Sequence, residues 1–287
     1  MEKIALITDS ACDLSIEKLK EYNIFLLPFR IIYKDREFND RIDIEPDYVY
    51  SRLPGEIPTT SLPDVSLIDE TFSKIEAEGY THAICVSVSS AMSGTYNSVR
   101  LVAENHPNLK CTLFDSKTVC APVGAITLAV ARMLEFGHSF DEITNALPLI
   151  RKNVTGFYTI ETLEYLQRGG RIGRVAGTLG EFFDIKPIIS VSDDGVYYSY
   201  SKARGKKQAV RKLKKLLLDF LEKDKYRIII MQTGDLAEAT EFLNEIKDNK
   251  NVIDICISPL SPALGVHVGP GLLGFTVLKE HPLYEKL

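Results

Sequence analysis

The 287-residue chain has no CxxC pair among its five cysteines, no apolar run approaching the length of a bilayer, and no excess of positive charge. Cys12, Cys85, Cys111, Cys120 and Cys256 are scattered, three of them in apolar strand-like runs. They read as reduced, packed thiols rather than a disulfide framework. The opening MEKIALITDS turns polar too soon for a signal peptide, and a membrane span needs about 20 apolar residues, so a cytoplasmic chain is expected. A net charge of -5 and a pI near 5.7 argue against a protein that coats nucleic acid, which needs a positive field. The catalytic signatures GxxxxGK(S/T), HExxH and GxSxG are missing as well. His82, His106, His138, His267 and His281 form no metal-ligand spacing, so neither a metal nor a cofactor is expected. Gly269-Pro270-Gly271-Leu272-Leu273-Gly274 matches GxGxxG by letter, yet it precedes a strand and leaves no room for an acidic ribose ligand.

What is present is an α/β pattern. Hydrophobic residues make up 45% and charged residues 25%, the balance of a globular chain with a substantial core. Strands are expected at Ile4 to Thr8, Ala83 to Val88 and Lys110 to Asp115, alternating with helices from Ser66, Gly94, Val123 and Ser139. The last has Glu142 at capping-box spacing. Ile24 to Tyr33, broken by Pro28, reads as an extended segment near an edge, and Lys34 to Pro63 as a long irregular excursion. After Asn153 the pattern changes: Asp193-Asp194-Gly195 between two strand-like runs is a hairpin signal. The expected fold class is α/β with two domains. Residues 1–155 form a mostly parallel sheet with flanking helices, and residues 156–287 an α+β domain with a mixed sheet.

The polar residues that interrupt this pattern are the candidates for function. The strand ending at Val88 runs into Ser89, Ser90, Ser93, Gly94 and Thr95, and in open α/β sheets ligands sit beyond such strand ends. Ser93 is the first candidate contact; the competing reading is that these serines cap the next helix. Asp9 and Ser10 face the same choice. Pro58 and Pro63 hold Thr59, Thr60 and Ser61 in extended geometry, aiming their hydroxyls in fixed directions. Arg168, Arg171 and Arg174 lie among glycines at a helix end, where they either bind an anion or complement the helix dipole. Lys202 to Lys215 carries eight Lys or Arg on an amphipathic helix, either a solvated face or a dock for an acidic partner. His267 lies in a glycine-rich, apolar setting.

TDSACD at Thr8 to Asp13, TTSLP at Thr59 to Pro63, SSAMSGTYNS at Ser89 to Ser98, LEYLQRGGRIG at Leu163 to Gly173, KPIISV with DGV to Val196, and HVGPG at His267 to Gly271 together resemble the DegV family. The resemblance covers essentially the whole chain. It implies a protein that encloses one long-chain fatty acid such as palmitate, stearate or oleate. It further implies a role as the lipid-binding subunit of a fatty acid kinase in phospholipid metabolism, presenting the carboxylate to a separate ATP-binding subunit. Catalysis of its own is not expected, and transient membrane contact fits such a carrier. The implied carboxylate contacts are Thr60, Ser93 and His267, with Ser61 and Gly94 adjacent. A carboxylate taken out of water needs several donors, preferably one cationic, and hydroxyls with a histidine supply them without a metal. An acyl tail adds roughly 0.8 kcal/mol per buried methylene before association costs. A Ser/His acyl hydrolase, with Ser93 as nucleophile, His267 as base and Asp9 or Asp115 as orienter, is the alternative in another class. A nucleic-acid module built on Lys202 to Lys215 is the weakest.

Overall fold

The structure, a computed structural model, describes residues 2–178 and 184–285. In chain order the first half comprises β1 (Ile4–Asp9), α1 (Ile16–Glu21), β2 (Ile24–Leu27), β3 (Arg30–Ile32), β4 (Glu37–Asn39), α2 (Pro46–Tyr50), β5 (Thr59–Ser61), α3 (Val65–Ala77), β6 (His82–Ser87), α4 (Thr95–Ala103), β7 (Lys110–Asp115), α5 (Ala121–Glu135) and α6 (Phe140–Lys152). Then follow β8 (Val154–Thr159), α7 (Glu164–Arg168), β9 (Ile185–Val191), β10 (Tyr197–Arg204), α8 (Lys206–Leu221), β11 (Tyr226–Gln232), α9 (Leu236–Ile246), β12 (Val252–Pro259), α10 (Pro262–Val268) and β13 (Leu273–Lys279).

Strand alternation builds the first sheet, which is all parallel in the order β2-β1-β6-β7. Ala5 and Ile7 of β1, with Ala83 and Cys85 of β6, pack against Ile68, Phe72 and Val99 of α3 and α4. Leu6, Ile84 and Val86 point the other way, onto Val123, Ile126 and Val130 of α5. A helix that is apolar all round must be buried all round. Accordingly α5 packs against this sheet and also against β8 and β13 of the second. The second sheet is mixed, in the order β10-β9-β8-β13-β11-β12, with only β11 and β12 parallel. Its outer face, Phe157, Ile230 and Phe275 among others, is covered by Leu213 and Leu217 of α8 and Phe242 of α9. The fold is thus α/β, with a parallel N-terminal sheet and a mixed C-terminal one.

Two local expectations are corrected. The stretch from Lys34 to Pro63 is no irregular excursion, because β4, β3 and β5 form a small antiparallel sheet with Ile31 opposite both Phe38 and Thr60. Strands of three residues are too short to leave a period in sequence. Asp9 and Ser10 do not open α1: Ser15 caps it, accepting the Lys18 N–H at 3.3 Å, while Asp9 caps a 3-10 turn over Ser10–Cys12. The capping box at Ser139 and Glu142 is present, as is the hairpin at Asp193-Asp194-Gly195. The Gly269 to Gly274 stretch joins α10 to β13, the wrong context for a dinucleotide. Among the described residues no helix is long and apolar enough to cross a membrane.

Candidate functional site

Three segments far apart in sequence meet beyond the first sheet. β5 carries Thr60, and α10 carries His267 in its last turn. The Thr60 hydroxyl and His267 Nε2 lie 2.7 Å apart across 207 residues of chain. The loop after β6 brings Ser93 and Gly94 to the same cavity, which Ser61 also lines. Of the sequence candidates, Thr60, Ser61, Ser93, Gly94 and His267 all line one cavity of about 190 Å³. Phe29, Val88, Val119, Tyr197, Leu264 and Val268 give it apolar walls.

Each hydroxyl is held by a hydrogen bond within the protein. Ser93 Oγ takes the Thr95 N–H at 3.3 Å and lies 2.8 Å from the hydroxyl of Thr95, which is fully buried. When Thr95 donates in that pair, the Ser93 proton is left for a ligand. At His267, Nδ1 has no hydrogen-bond partner. A lone pair left unpartnered there costs less than an N–H would, which favours the proton on Nε2, donated to Thr60. The Thr60 O–H is then free to donate in turn. Ser61 Oγ accepts from Arg30 Nη2 at 3.3 Å.

His267 is not the cation of the site. Burial, and secondarily the charge of Arg171, lower its pKa from 6.5 to about 4, so the imidazole is neutral at neutral pH. The positive charge at the cavity comes from Arg171, which the sequence left among three arginines of undecided role. Arg168 pairs with Glu164 at 2.7 Å and Arg174 with Asp194, whereas Arg171 is held by the carbonyls of Gly169 at 2.7 Å and Met92 at 3.3 Å. Gly169 lets this loop lie against the imidazole; a Cβ there would stand 2.3 Å from His267 Nδ1.

A Ser-His-Asp relay is not assembled. Asp9 accepts the N–H groups of Val88 and Ala11, Asp115 accepts from Ser90, and neither is hydrogen-bonded to the imidazole. The basic helix α8 is partly neutralised by α9, through Lys206 to Glu238 at 2.9 Å and Lys214 to Glu245 at 2.7 Å. A larger cavity of about 420 Å³ lies between α1, α5, β11 and β12. Its cations Lys18, Arg132 and Arg227 are already engaged, Lys18 by Glu21 and both arginines by Glu285.

An apolar-walled cavity in an α/β protein, with hydroxyls, a neutral imidazole and an arginine in its lining, has the form of a small-molecule binding site. More particularly, the chain belongs to the DegV family, described as a family of uncharacterised proteins, whose model matches residues 3–280. A DegV domain-containing protein of Clostridium perfringens is 48% identical over 280 residues, covering 98% of this chain and all of the relative. Among solved structures, a DegV family protein from Thermus thermophilus described by its fatty acid binding superposes with a TM-score of 0.90 at 26% identity, covering 97% of this chain and 100% of that one. A stearic acid-binding protein from Eubacterium ventriosum superposes with a TM-score of 0.88 at 28% identity over the whole of both chains.

Proposed function

We propose that this protein binds one long-chain fatty acid, palmitate, stearate or oleate being examples, with the carboxylate received by Thr60 and Ser93. The reading is carried by one observation: the hydroxyls of Thr60 and Ser93 line the same apolar-walled cavity as a neutral imidazole that lies 2.7 Å from the Thr60 oxygen. Their protons go to the carboxylate oxygens, His267 holds Thr60 in that orientation, and Arg171 supplies the countercharge. Ser61 and Gly94 flank the headgroup. The fatty acids bound by the Thermus and Eubacterium proteins support the ligand class.

The cavity of about 190 Å³, with a further void of about 20 Å³ that Val119 also lines, is smaller than the roughly 300 Å³ at which pockets begin to enclose organic ligands. A long tail therefore enters by displacing side chains around Val119 and Tyr197. Gly94 and Arg171 are exposed, so the headgroup lies at the surface. That position suits presentation to a separate ATP-binding kinase subunit that forms the acyl phosphate, with no catalytic residue, metal or cofactor on this chain. We place this step in the cytoplasm, with transient membrane contact for loading. The division into domains 1–155 and 156–287 belongs to the same proposal, supported by the strands of the second sheet, the earliest of which begins at Val154.

Native mass spectrometry of the purified protein is the test. The expected result is one fatty acid per chain, reduced in Ser93→Ala. A protein recovered empty that also takes up no labelled palmitate defeats the proposal. Turnover of an acyl ester abolished in Ser93→Ala would favour the hydrolase instead.

A further inference from the structure

α10 has seven residues, too few to hold a direction by itself, and its anchors come from the opposite half of the chain. The Ser261 N–H donates to Asp13 Oδ1 at 2.7 Å, and the Ala263 N–H to Asp40 Oδ1 at 3.1 Å. Ser261 Oγ takes the Leu264 N–H at 3.2 Å, while Pro262 has no N–H to satisfy. Arg41 ties these together, its Nη2 donating to Asp13 Oδ1 at 3.3 Å and to the Pro259 carbonyl at 3.0 Å. Tyr50 donates to the Leu260 carbonyl at 2.9 Å and packs so near that a Cβ at Gly265 would stand 2.2 Å from its Cε1.

The backbone gives an independent sign. Asp13 and Arg41 both sit in the left-handed region, at φ 54° and 64°, although neither is glycine. Such conformations persist where the surroundings over-determine them, and they gather at functional sites. Arg41 and Asp13 are also nearly inaccessible, with side chains 9% and 1% exposed.

Asp40 follows β4 directly, and β4 belongs to the small sheet whose other edge, β5, carries Thr60. One end of this sheet thus holds Thr60 and the other holds the start of the helix that carries His267. We infer that Asp13, Arg41 and Asp40 are positioning residues that set the Thr60–His267 contact. This inference rests on the proposed function for its effect on ligand affinity, but not for its effect on the imidazole.

The test is nitrogen-15 NMR of the histidine rings together with labelled-palmitate binding, in wild type, Asp40→Asn and Arg41→Lys. Phe242→Leu, in the layer outside the second sheet, serves as the comparison for general loss of stability. Both clamp variants are expected to shift the His267 Nε2 signal and weaken palmitate binding about tenfold, while Phe242→Leu moves neither. Unchanged His267 signals in either folded clamp variant overturn the inference. If neither variant folds, amide exchange in the wild type decides: palmitate should slow exchange at Ser261 and Ala263, and equal rates with and without it refute the clamp. A wild type that takes up no palmitate defeats the proposed function, and the imidazole signals then decide the clamp alone.

Discussion

At the scale of single residues, the site depends on which groups keep a free proton. Thr60 is the hinge of this arrangement: with the imidazole proton on Nε2, its oxygen serves His267 and its proton is left for the ligand. Thr60→Val keeps the shape and removes both. It takes the protein partner from a half-buried imidazole nitrogen, and the loss of one such hydrogen bond costs about 0.5–1.5 kcal/mol. A urea titration should register that loss, and fatty-acid affinity should fall by roughly tenfold or more, the value of a hydrogen bond to a charged group. Unchanged affinity would remove Thr60 from the headgroup site. Small polar residues at a strand end and between prolines made Ser93 and Thr60 visible in the sequence, whereas their joint role with His267 at a carboxylate came from the family resemblance and stands as a proposal. The sequence reading misassigned the charge. Whether a histidine is protonated depends on tertiary burial, and whether Arg171 faces the cavity while Arg168 and Arg174 pair elsewhere depends on Glu164 and Asp194.

Among the elements, legibility tracked length and locality. β1, β6 and β7 each have six residues, and α5 has fifteen apolar-rich ones, so their periods survive in the sequence. The start of α6 was equally plain. Ser139 accepts the Glu142 N–H at 3.3 Å, and Glu142 returns the bond to the Ser139 N–H at 2.8 Å. Ser139→Ala should cost about 1 kcal/mol, measurable as a lower midpoint in chemical denaturation with an unchanged slope. No loss would mean that α6 is held by packing alone. The small sheet was illegible for the converse reason: β3 pairs with β5 across the whole α2 segment, and three-residue strands carry no repeat.

For the molecule as a whole, two kinds of buried group pull stability in opposite directions with pH. Burial raises Asp9 and Asp13 from 3.8 to about 7. The stability linked to each is complete below pH 4 and is lost as pH rises towards 7. For His267, lowered from 6.5 to about 4, the linked stability is complete above pH 6.5 and is lost as pH falls towards 4. Melting curves across this range should therefore show Asp9→Asn gaining on the wild type from pH 5 to pH 8. His267→Gln should gain in the other direction, from pH 7 to pH 4.5. Differences that stay constant with pH would mean these groups titrate alike in the folded and unfolded chain.

The bond between Thr60 and His267 spans 207 residues, and its second partner lies close to the end of the described chain. A polypeptide still emerging from the ribosome has made the hydroxyl long before the imidazole exists. On the proposed reading, capture of an acyl chain thus waits until synthesis has passed His267, and shorter products have no means of withdrawing lipid from circulation.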